Sequence, residues 1–324
     1  MQPDNPPAPQ DTAPAHLSRV AMGVSYNGQR YSGWQSQLSG NTIQDHLEAA
    51  LGRFATHRVS TLCAGRTDAG VHGLMQVVHF DTPLQRPASS WVRGTNTFLP
   101  ADIAVQWAQP VPDGFHARAS AIARRYAYVL LQSPVRPSVD AGRVGWVFYP
   151  LDHAAMLQAA QQLLGEHDFT SFRASACQAK SPVKTLQRIE ITRTPSSMAA
   201  PPEGFAPCYW RFEFEANAFL HHMIRNIMGC LIAVGQGKNH RNGSAKCWLR
   251  AHATLRHPPF RPTACIFRAR STNPIGACPT ARLRMIGCPE HHHHHEQPVV
   301  REATSPPLHS HPHQDLRPDT RTGC

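Results

Sequence analysis

The sequence predicts an α+β fold in which two related halves share one mixed, mainly antiparallel sheet with helices on its faces. The first observation is the spacing of the apolar residues. Segments with strand-like alternation and segments with helical spacing follow each other from residue 19 to residue 234. The second is that an order of strand, helix, strand, strand, helix fills the second half without visible sequence identity to the first. A duplicated unit that shares one sheet is the economical interpretation.

The first half begins with a strand at 19–26 and continues with a helix. Thr42 is followed three residues later by Asp45, which is typical of a helix start. Apolar residues at helical spacing then give one face for burial: Ile43, Leu47, Leu51 and Phe54. Strands at 59–64 and 74–80, a helical stretch that ends at 96–100, and a strand at 103–107 complete this half.

The second half opens with a strand at 123–130 in which basic and aromatic residues interleave. A helix at 151–164, strands at 184–193 and 209–216, and a helix at 219–234 follow, with a loop rich in Pro, Ser and Ala at 194–207. In the last strand, alternation places a set of apolar residues on one face: Trp210, Phe212, Phe214 and Ala216.

These patterns predict four regions. Residues 1–16 are a disordered lead-in without an apolar run, 17–115 form the first α+β half, and 116–246 form the second. Residues 247–324 lose all periodicity and read as an aberrant, disordered tail. No segment has the length of a membrane span, and there is no export signal, so a cytoplasmic protein is expected. Its nine cysteines are then expected to be reduced thiols.

The formal net charge of +11 invites a nucleic-acid partner, but its distribution weakens that argument. Residues 1–240 hold 20 Lys and Arg against 16 Asp and Glu, whereas residues 241–324 hold 12 against 5. Most of the basic excess therefore lies in the segment that looks least like folded protein. Charge supports an RNA partner without establishing one.

A glycine-bracketed loop at Gly65–His72, between two predicted strands, is the candidate catalytic segment. Its Asp68 could accept hydrogen bonds from Arg66, or from an arginine elsewhere, and stay ionised while partly buried. The alternative is an aspartate that merely caps a turn.

This loop resembles the signature loop of the tRNA pseudouridine synthase A family, in which the aspartate is the essential catalytic residue. Further segments resemble other blocks of that family, in the same order, and together cover about residues 17–240. They are Tyr26 and Gly28 with Tyr31–Gln35 and Thr42–Gln44, Phe115–Arg118 with Arg124–Tyr126, Asp168–Phe172, and Phe219–Ile227.

The resemblance implies a pseudouridine synthase fold of two ferredoxin-like halves and an isomerase that converts uridine to pseudouridine in the anticodon stem-loop of tRNA. It implies Asp68 as the catalytic carboxylate, Arg225 as its charge partner and Tyr126 as the residue that stacks on the base. It implies no metal and no organic cofactor, and a homodimer bridged by tRNA. The alternative for Arg225 is a solvent-exposed helix arginine. Without the resemblance, Tyr126 on an alternating strand reads more often as a core residue.

RNA contacts are expected from five further side chains near these blocks: Arg66, Arg118, Arg124, Arg125 and His222. His221 is a weaker candidate. Two rival interpretations stay open. One is an RNA-binding relic without activity. The other is a metal-binding protein that uses the tail histidines 291–295, 309, 311 and 313, although their spacing offers no usual zinc-ligand pairs.

The C-terminus departs from the family. The expected final helix and strand are not legible after about residue 246. A GC-rich back-translation of residues 247–267, shifted by two bases, gives a string ending in Pro-Asp-Gly-Leu-Tyr-Phe that resembles the family ending. The sequence therefore predicts a one- or two-base slip near codons 235–247, which would leave a sheet edge unpaired.

Overall fold

The computed structural model describes residues 17–175, 177–196 and 204–237, and the backbone of 265–271. These residues lie in one compact unit, Met1–Gly276. Ten strands form one sheet: β1 (Ser18–Tyr26), β2 (Leu62–Cys63), β3 (His72–Thr82), β4 (Ile103–Val111), β5 (Ala121–Gln132), β6 (Gly145–Val147), β7 (Gly165–Asp168), β8 (Val183–Pro195), β9 (Cys208–Ala216) and β10 (Cys265–Ser271). The described helices are α1 (Ile43–Ala55), α2 (Ala88–Phe98), α3 (His153–Gln161) and α4 (Met223–Gly235).

The sheet is mixed and mainly antiparallel, as predicted. Its order is β4-β1-β3-β10-β5-β9-β8-β7, with β2 on β3 and β6 on β5. The β10–β3 and β5–β6 pairs are parallel, and the other pairs are antiparallel. The first half supplies β1 to β4 and the second β5 to β9. The α+β pseudouridine synthase fold expected from the sequence is confirmed.

Helix α1 forms where the spacing predicts it. The side chain of Thr42 caps the helix by accepting from the backbone N–H of Asp45 at 3.2 Å. Ile43, Leu47 and Leu51 are fully buried on one face. Because their burial contributes roughly 1.5–3 kcal/mol per side chain, packing rather than propensity fixes this helix.

Each half has its own core. In the first half, α1 and α2 pack on β1, β3 and β4 around Trp91, Phe80 and Met22. In the second half, α3 and α4 pack on β5, β8 and β9, where Trp210 and Phe212 are fully buried, as the alternation predicts. A smaller cluster around Phe115 covers the other face of β1 and β3. The candidate catalytic loop, Gly65–His72, follows β2 and therefore begins at the edge of a packed core.

One strand lies within residues 247–324, the C-terminal segment that is predicted from the sequence to be disordered. β10 (Cys265–Ser271) lies in the middle of the sheet, parallel to β3 and antiparallel to β5, with Phe267 opposite Tyr126. The strand therefore joins the two halves along the backbone. The expected regional boundaries stay a prediction, and residues 1–16 and the histidine-rich positions 291–295, 309, 311 and 313 lie outside the described residues.

The structure also differs from the sequence expectations in smaller ways. Helix α4 begins at Met223 rather than at residue 219, because His222 adopts a left-handed backbone conformation. The strand expected at 59–64 is reduced to Leu62–Cys63. Within the described part of the chain, no helix is both long enough and apolar enough to cross a bilayer.

Candidate active site

The loop that carries Asp68 is held by the segment around Gly33 and Trp34. The backbone N–H of Trp34 donates to the carbonyl of Thr67 at 3.0 Å, and the hydroxyls of Tyr26 and Thr67 lie 2.9 Å apart. Gly33 has a φ of +94°, and a Cβ there would lie 2.7 Å from the carbonyl oxygen of Thr67. Only glycine allows the two segments to approach this closely.

Gln76 on β3 fixes the start of the same loop. Its side-chain amide donates to the carbonyl of Gly65 at 2.5 Å and accepts from the Gly65 N–H at 3.4 Å. Gln76 is fully buried, so both contacts are shielded from water. The loop is therefore attached to rigid elements at its start and at its middle, which fixes the position of Asp68.

The Asp68 carboxylate faces two histidines that precede helix α4. Its two oxygens lie 3.5 Å from Nε2 of His221 and 3.7 Å from Nε2 of His222. The Asp68 side chain keeps 36% of its surface exposed, and that of His221 keeps 40%. The carboxylate is thus accessible to a substrate and lies close to two imidazole nitrogens.

His222 connects Asp68 to Arg225. Nη1 of Arg225 lies 3.1 Å from Nε2 of His222. Because a guanidinium can only donate, this nitrogen of His222 accepts, and the imidazole is neutral with its proton on Nδ1. Burial, together with His221 and Arg225, lowers the pKa of His222, in agreement with the neutral form, while Asp68 opposes the shift.

The direct ion pair between Asp68 and Arg225 that the resemblance implies is not among the ion pairs formed by the described residues. Arg225 contacts Nε2 of His222, the same atom that lies 3.7 Å from the carboxylate, and its role as charge partner stays a prediction. The φ of His222 is +62°, a region that non-glycine residues adopt at a cost of about 1 kcal/mol or more. This turn places both histidine rings over Asp68.

Tyr126 lies on β5 beside the same helix end. Its ring packs edge-to-face on Phe219, with the centroids 5.0 Å apart. The side chain is only partly buried, and it borders the cores of both halves. Phe219 lies two and three residues before His221 and His222, so Tyr126 contacts the segment that carries the histidines. A half-exposed ring at this position can offer a face to a base.

Arg124, which is predicted to contact RNA, donates to backbone carbonyls of the protein itself. Its guanidinium donates to four backbone carbonyls, which belong to Ala64, Arg118, Ala121 and Asn217, at 2.8–3.2 Å. Burial lowers the pKa of Arg124. The geometry favours a positioning role, because Ala64 precedes the catalytic loop and Asn217 precedes the segment that carries the histidines.

The other predicted RNA-contacting arginines differ in exposure and pairing. Arg66 and Arg118 are exposed and lie near the thiol of Cys63, whose pKa is raised by burial and lowered in part by these two arginines. Arg125 instead forms an ion pair with Glu215 across β5 and β9 at 2.6 Å. Arg66 and Arg118 are therefore better placed to reach a phosphate than Arg125.

The Phe115–Arg118 block is anchored by a buried histidine. Nδ1 of His79 accepts from the backbone N–H of Ala117 at 3.2 Å, and its ring lies 5.0 Å from that of His116. Burial, with Arg19 and His116 nearby, lowers the pKa of His79 to about 4. His79 is therefore a neutral structural acceptor at neutral pH.

His221 is the site residue that sequence reasoning undervalued. It lies next to Asp68 although 153 positions separate them in the chain. The available signal was its place four residues before the arginine expected in the site, next to another histidine. The structure thus brings Asp68, His221, His222 and Arg225 together, with Tyr126 in contact with the segment that carries the histidines.

Comparison with known proteins gives one consistent result. The profile of a family described as tRNA pseudouridine synthase matches residues 22–118 and 159–248. A tRNA pseudouridine synthase A of Acidovorax sp. (strain JS42) is 79% identical over 221 residues, which cover 68% of this chain and 81% of the relative. Those of Verminephrobacter eiseniae and Paracidovorax citrulli are 71% and 67% identical over 249 and 272 residues, covering 77% and 81% of this chain and 92% and 96% of the relatives.

Proposed function

The chain belongs to the tRNA pseudouridine synthase family, and we propose that Asp68 is the catalytic carboxylate with which it isomerises uridine in the anticodon stem-loop of tRNA. The enzyme is an isomerase, and its substrate is tRNA. The observation that carries the residue assignment is the position of Asp68. It lies on a loop fixed at both Gly65 and Thr67, with a half-exposed carboxylate.

The reaction breaks the glycosidic bond to N1 of uracil, turns the base in the site and joins C5 to the sugar. A carboxylate serves either as the nucleophile at the sugar or as the base that removes a sugar proton. Asp68 suits both roles because its carboxylate is accessible and lies near groups that favour a negative charge. Nε2 of His221 lies 3.5 Å from one oxygen, and the guanidinium of Arg225 lies behind the His222 ring as a nearby positive charge.

Tyr126 is proposed to stack on the base after it leaves the stem. Support comes from its partly exposed ring and its contact with Phe219, in the segment that carries the histidines. Arg66 and Arg118 are proposed to contact phosphates because both are exposed near the catalytic loop. Arg125 and His222 contribute less to RNA binding in this proposal, since other protein groups already engage them.

An isotope-release assay tests the catalytic assignment. Uridine tritiated at C5 loses its label when C5 bonds to the sugar, so release from labelled tRNA measures turnover. Asp68→Asn keeps the size of the side chain and removes its charge. We expect it to abolish release while a filter-binding assay still detects tRNA.

The same two assays on the unmodified chain distinguish this enzyme from the rival interpretation, an inactive RNA-binding relic. Binding of tRNA without any release of tritium would support the relic. Release by the unmodified chain together with undiminished release by Asp68→Asn would remove Asp68 from the mechanism.

The family resemblance also supports a cytoplasmic homodimer that shares one tRNA. Four exposed apolar side chains near β6 give a surface for a second copy: Val135, Val139, Trp146 and Phe148. Light scattering on the full chain measures the state directly. Phe148→Glu, at a side chain 63% exposed, is expected to convert dimer to monomer if this surface is the interface.

A further inference from the structure

We propose that Asp68, His221 and His222 form a site for a late transition-metal ion such as Zn²⁺, and that the bound ion inhibits the enzyme. The three side chains each offer one ligand atom, and these atoms lie within 4.8 Å of one another. Two imidazoles and one carboxylate are a donor set that suits Zn²⁺, Co²⁺ and Fe²⁺. The inhibitory part rests on the proposed catalytic role of Asp68, whereas the binding part does not.

The observed spacing is close to that of a formed site. Ligand atoms about 2.1 Å from a tetrahedral ion lie about 3.4 Å apart. Nε2 of His221 lies 3.5 Å from one oxygen of Asp68, and Nε2 of His222 lies 3.7 Å from the other. Small rotations of the His221 and His222 rings, whose centroids are 3.9 Å apart, would bring the remaining pair to that distance. An accessible edge remains for water as a fourth ligand, because His221 is exposed.

The position of Arg225 bears on what the ion would displace. Nη1 of Arg225 lies 3.1 Å from Nε2 of His222, the same atom that would bind the ion. An ion at this nitrogen would therefore compete with the guanidinium. This displacement removes the positive charge that supports Asp68, in addition to occupying the carboxylate itself.

Selectivity follows from the donors. Mg²⁺ keeps its water and prefers oxygen ligands, so two imidazoles discriminate against it. Mg²⁺ is therefore expected not to inhibit through this site. Zn²⁺ would block the carboxylate and lower turnover.

Binding is tested with Co²⁺, whose visible absorption reports imidazole and carboxylate ligation. The full chain is compared with His221→Gln and with a variant in which all five histidines at 291–295 are glutamine. The second variant controls for ions held by that histidine run. We expect the absorption to persist in the 291–295 variant and its Co²⁺ affinity to fall by at least about tenfold in His221→Gln.

His222→Asn provides an independent ligand deletion, because asparagine tolerates the left-handed backbone at that position. It too should lose affinity. Equal Co²⁺ absorption in the full chain, His221→Gln and His222→Asn would overturn the site, as would its complete loss in the 291–295 variant. These readouts decide the question even if no pseudouridine is formed.

Inhibition is then measured by isotope release with Zn²⁺ and with Mg²⁺, each variant being compared with its own rate in chelator. We expect Zn²⁺ to inhibit the 291–295 variant at concentrations at least about tenfold below those needed for His221→Gln. Equal inhibition of the two would place the ion on the RNA or elsewhere on the protein, and would refute inhibition through Asp68.

Discussion

Arg124 provides the sharpest test of how the site is positioned. Its guanidinium donates to carbonyls in three separate segments. These are Ala64 before the candidate catalytic loop, Arg118 in the Phe115–Arg118 block, and Asn217 before α4. Arg124→Met keeps the length of the side chain and removes all of these donors. We expect both lower stability and displacement of Asp68 relative to the histidines.

The expected magnitude follows from the four lost hydrogen bonds. The bonds to Ala64 and Ala121 are partly buried, whereas those to Arg118 and Asn217 are exposed, where water replaces the donor. A net contribution of about 1 kcal/mol or somewhat more for each partly buried bond, and less for the exposed ones, gives about 2–4 kcal/mol in total. For a protein of this size, the midpoint of thermal unfolding should fall by about 5–15 °C.

Activity should fall further than stability predicts. A displacement of about 1 Å at a reacting group is able to lower turnover about a hundredfold. We therefore expect kcat in the isotope-release assay, well below the unfolding midpoint, to fall about a hundredfold. The Kd for tRNA should change less than about threefold, since the guanidinium faces protein carbonyls. Arg124→Lys should be intermediate, because an ammonium keeps the charge but cannot form the same fork.

Arg66→Met is the matched control on the catalytic loop. Arg66 is exposed and is proposed to contact a phosphate. Its loss should raise Kd, lower the salt dependence of binding by about one unit of slope and leave the unfolding midpoint unchanged. If Arg124→Met gave that same signature, with no change in thermal stability, the positioning role would be wrong and Arg124 would be an RNA contact.

Three further predictions use other parts of the molecule. His79 has a pKa lowered from 6.5 to about 4 in the folded chain, so its contribution is complete above pH 6.5 and is lost as the pH falls towards 4. The free energy of unfolding, measured in urea, should therefore fall by up to about 3 kcal/mol between pH 6.5 and 4, and His79→Gln should reduce this fall. An unchanged dependence on pH in His79→Gln would contradict this cause. Gly33→Ala should reduce turnover strongly, by pushing the catalytic loop, while Gly114→Ala, where a Cβ meets nothing within 4 Å, should leave it unchanged; equal activities would contradict the close approach. A chain ending at Ala264 lacks β10 and should unfold at lower temperature than one ending at Gly276, whereas equal midpoints by calorimetry would show that β10 contributes nothing.

The sequence predicts local elements well where one physical rule dominates. The alternation of Trp210, Phe212 and Phe214 gives both strand β9 and its buried face, and the Thr42 cap gives the start of α1. The start of α4 was predicted four residues too early because periodicity does not register the left-handed turn at His222. Such a turn depends on tertiary contacts, which no local pattern contains.

The composition of the site shows the same limit at longer range. The loop with Asp68 is recognisable from its sequence, but its contacts with His221 and His222 join segments about 150 positions apart. Arg124 shows the same limit from the other side. Its basic side chain predicts an RNA contact, which stays a prediction, whereas the carbonyls that engage it belong to segments brought together only by folding. Residue type predicted the charge of the site, and topology determined how that charge is used.

The C-terminus connects the predicted frame slip with the sheet. The shifted reading frame ends in a strand-like string at about residue 267, and the chain as it stands places the backbone of Cys265–Ser271 between β3 and β5. Backbone hydrogen bonds form a strand pairing, so strand-like strings of different sequence are able to form the same kind of pair. What a slip would change is the residue type at each position of this strand, including position 267, which is opposite Tyr126 in the register. Sequencing the gene near codons 235–247 distinguishes the two readings. An intact frame whose codons cannot encode the shifted string would refute the slip and leave β10 as the native central strand.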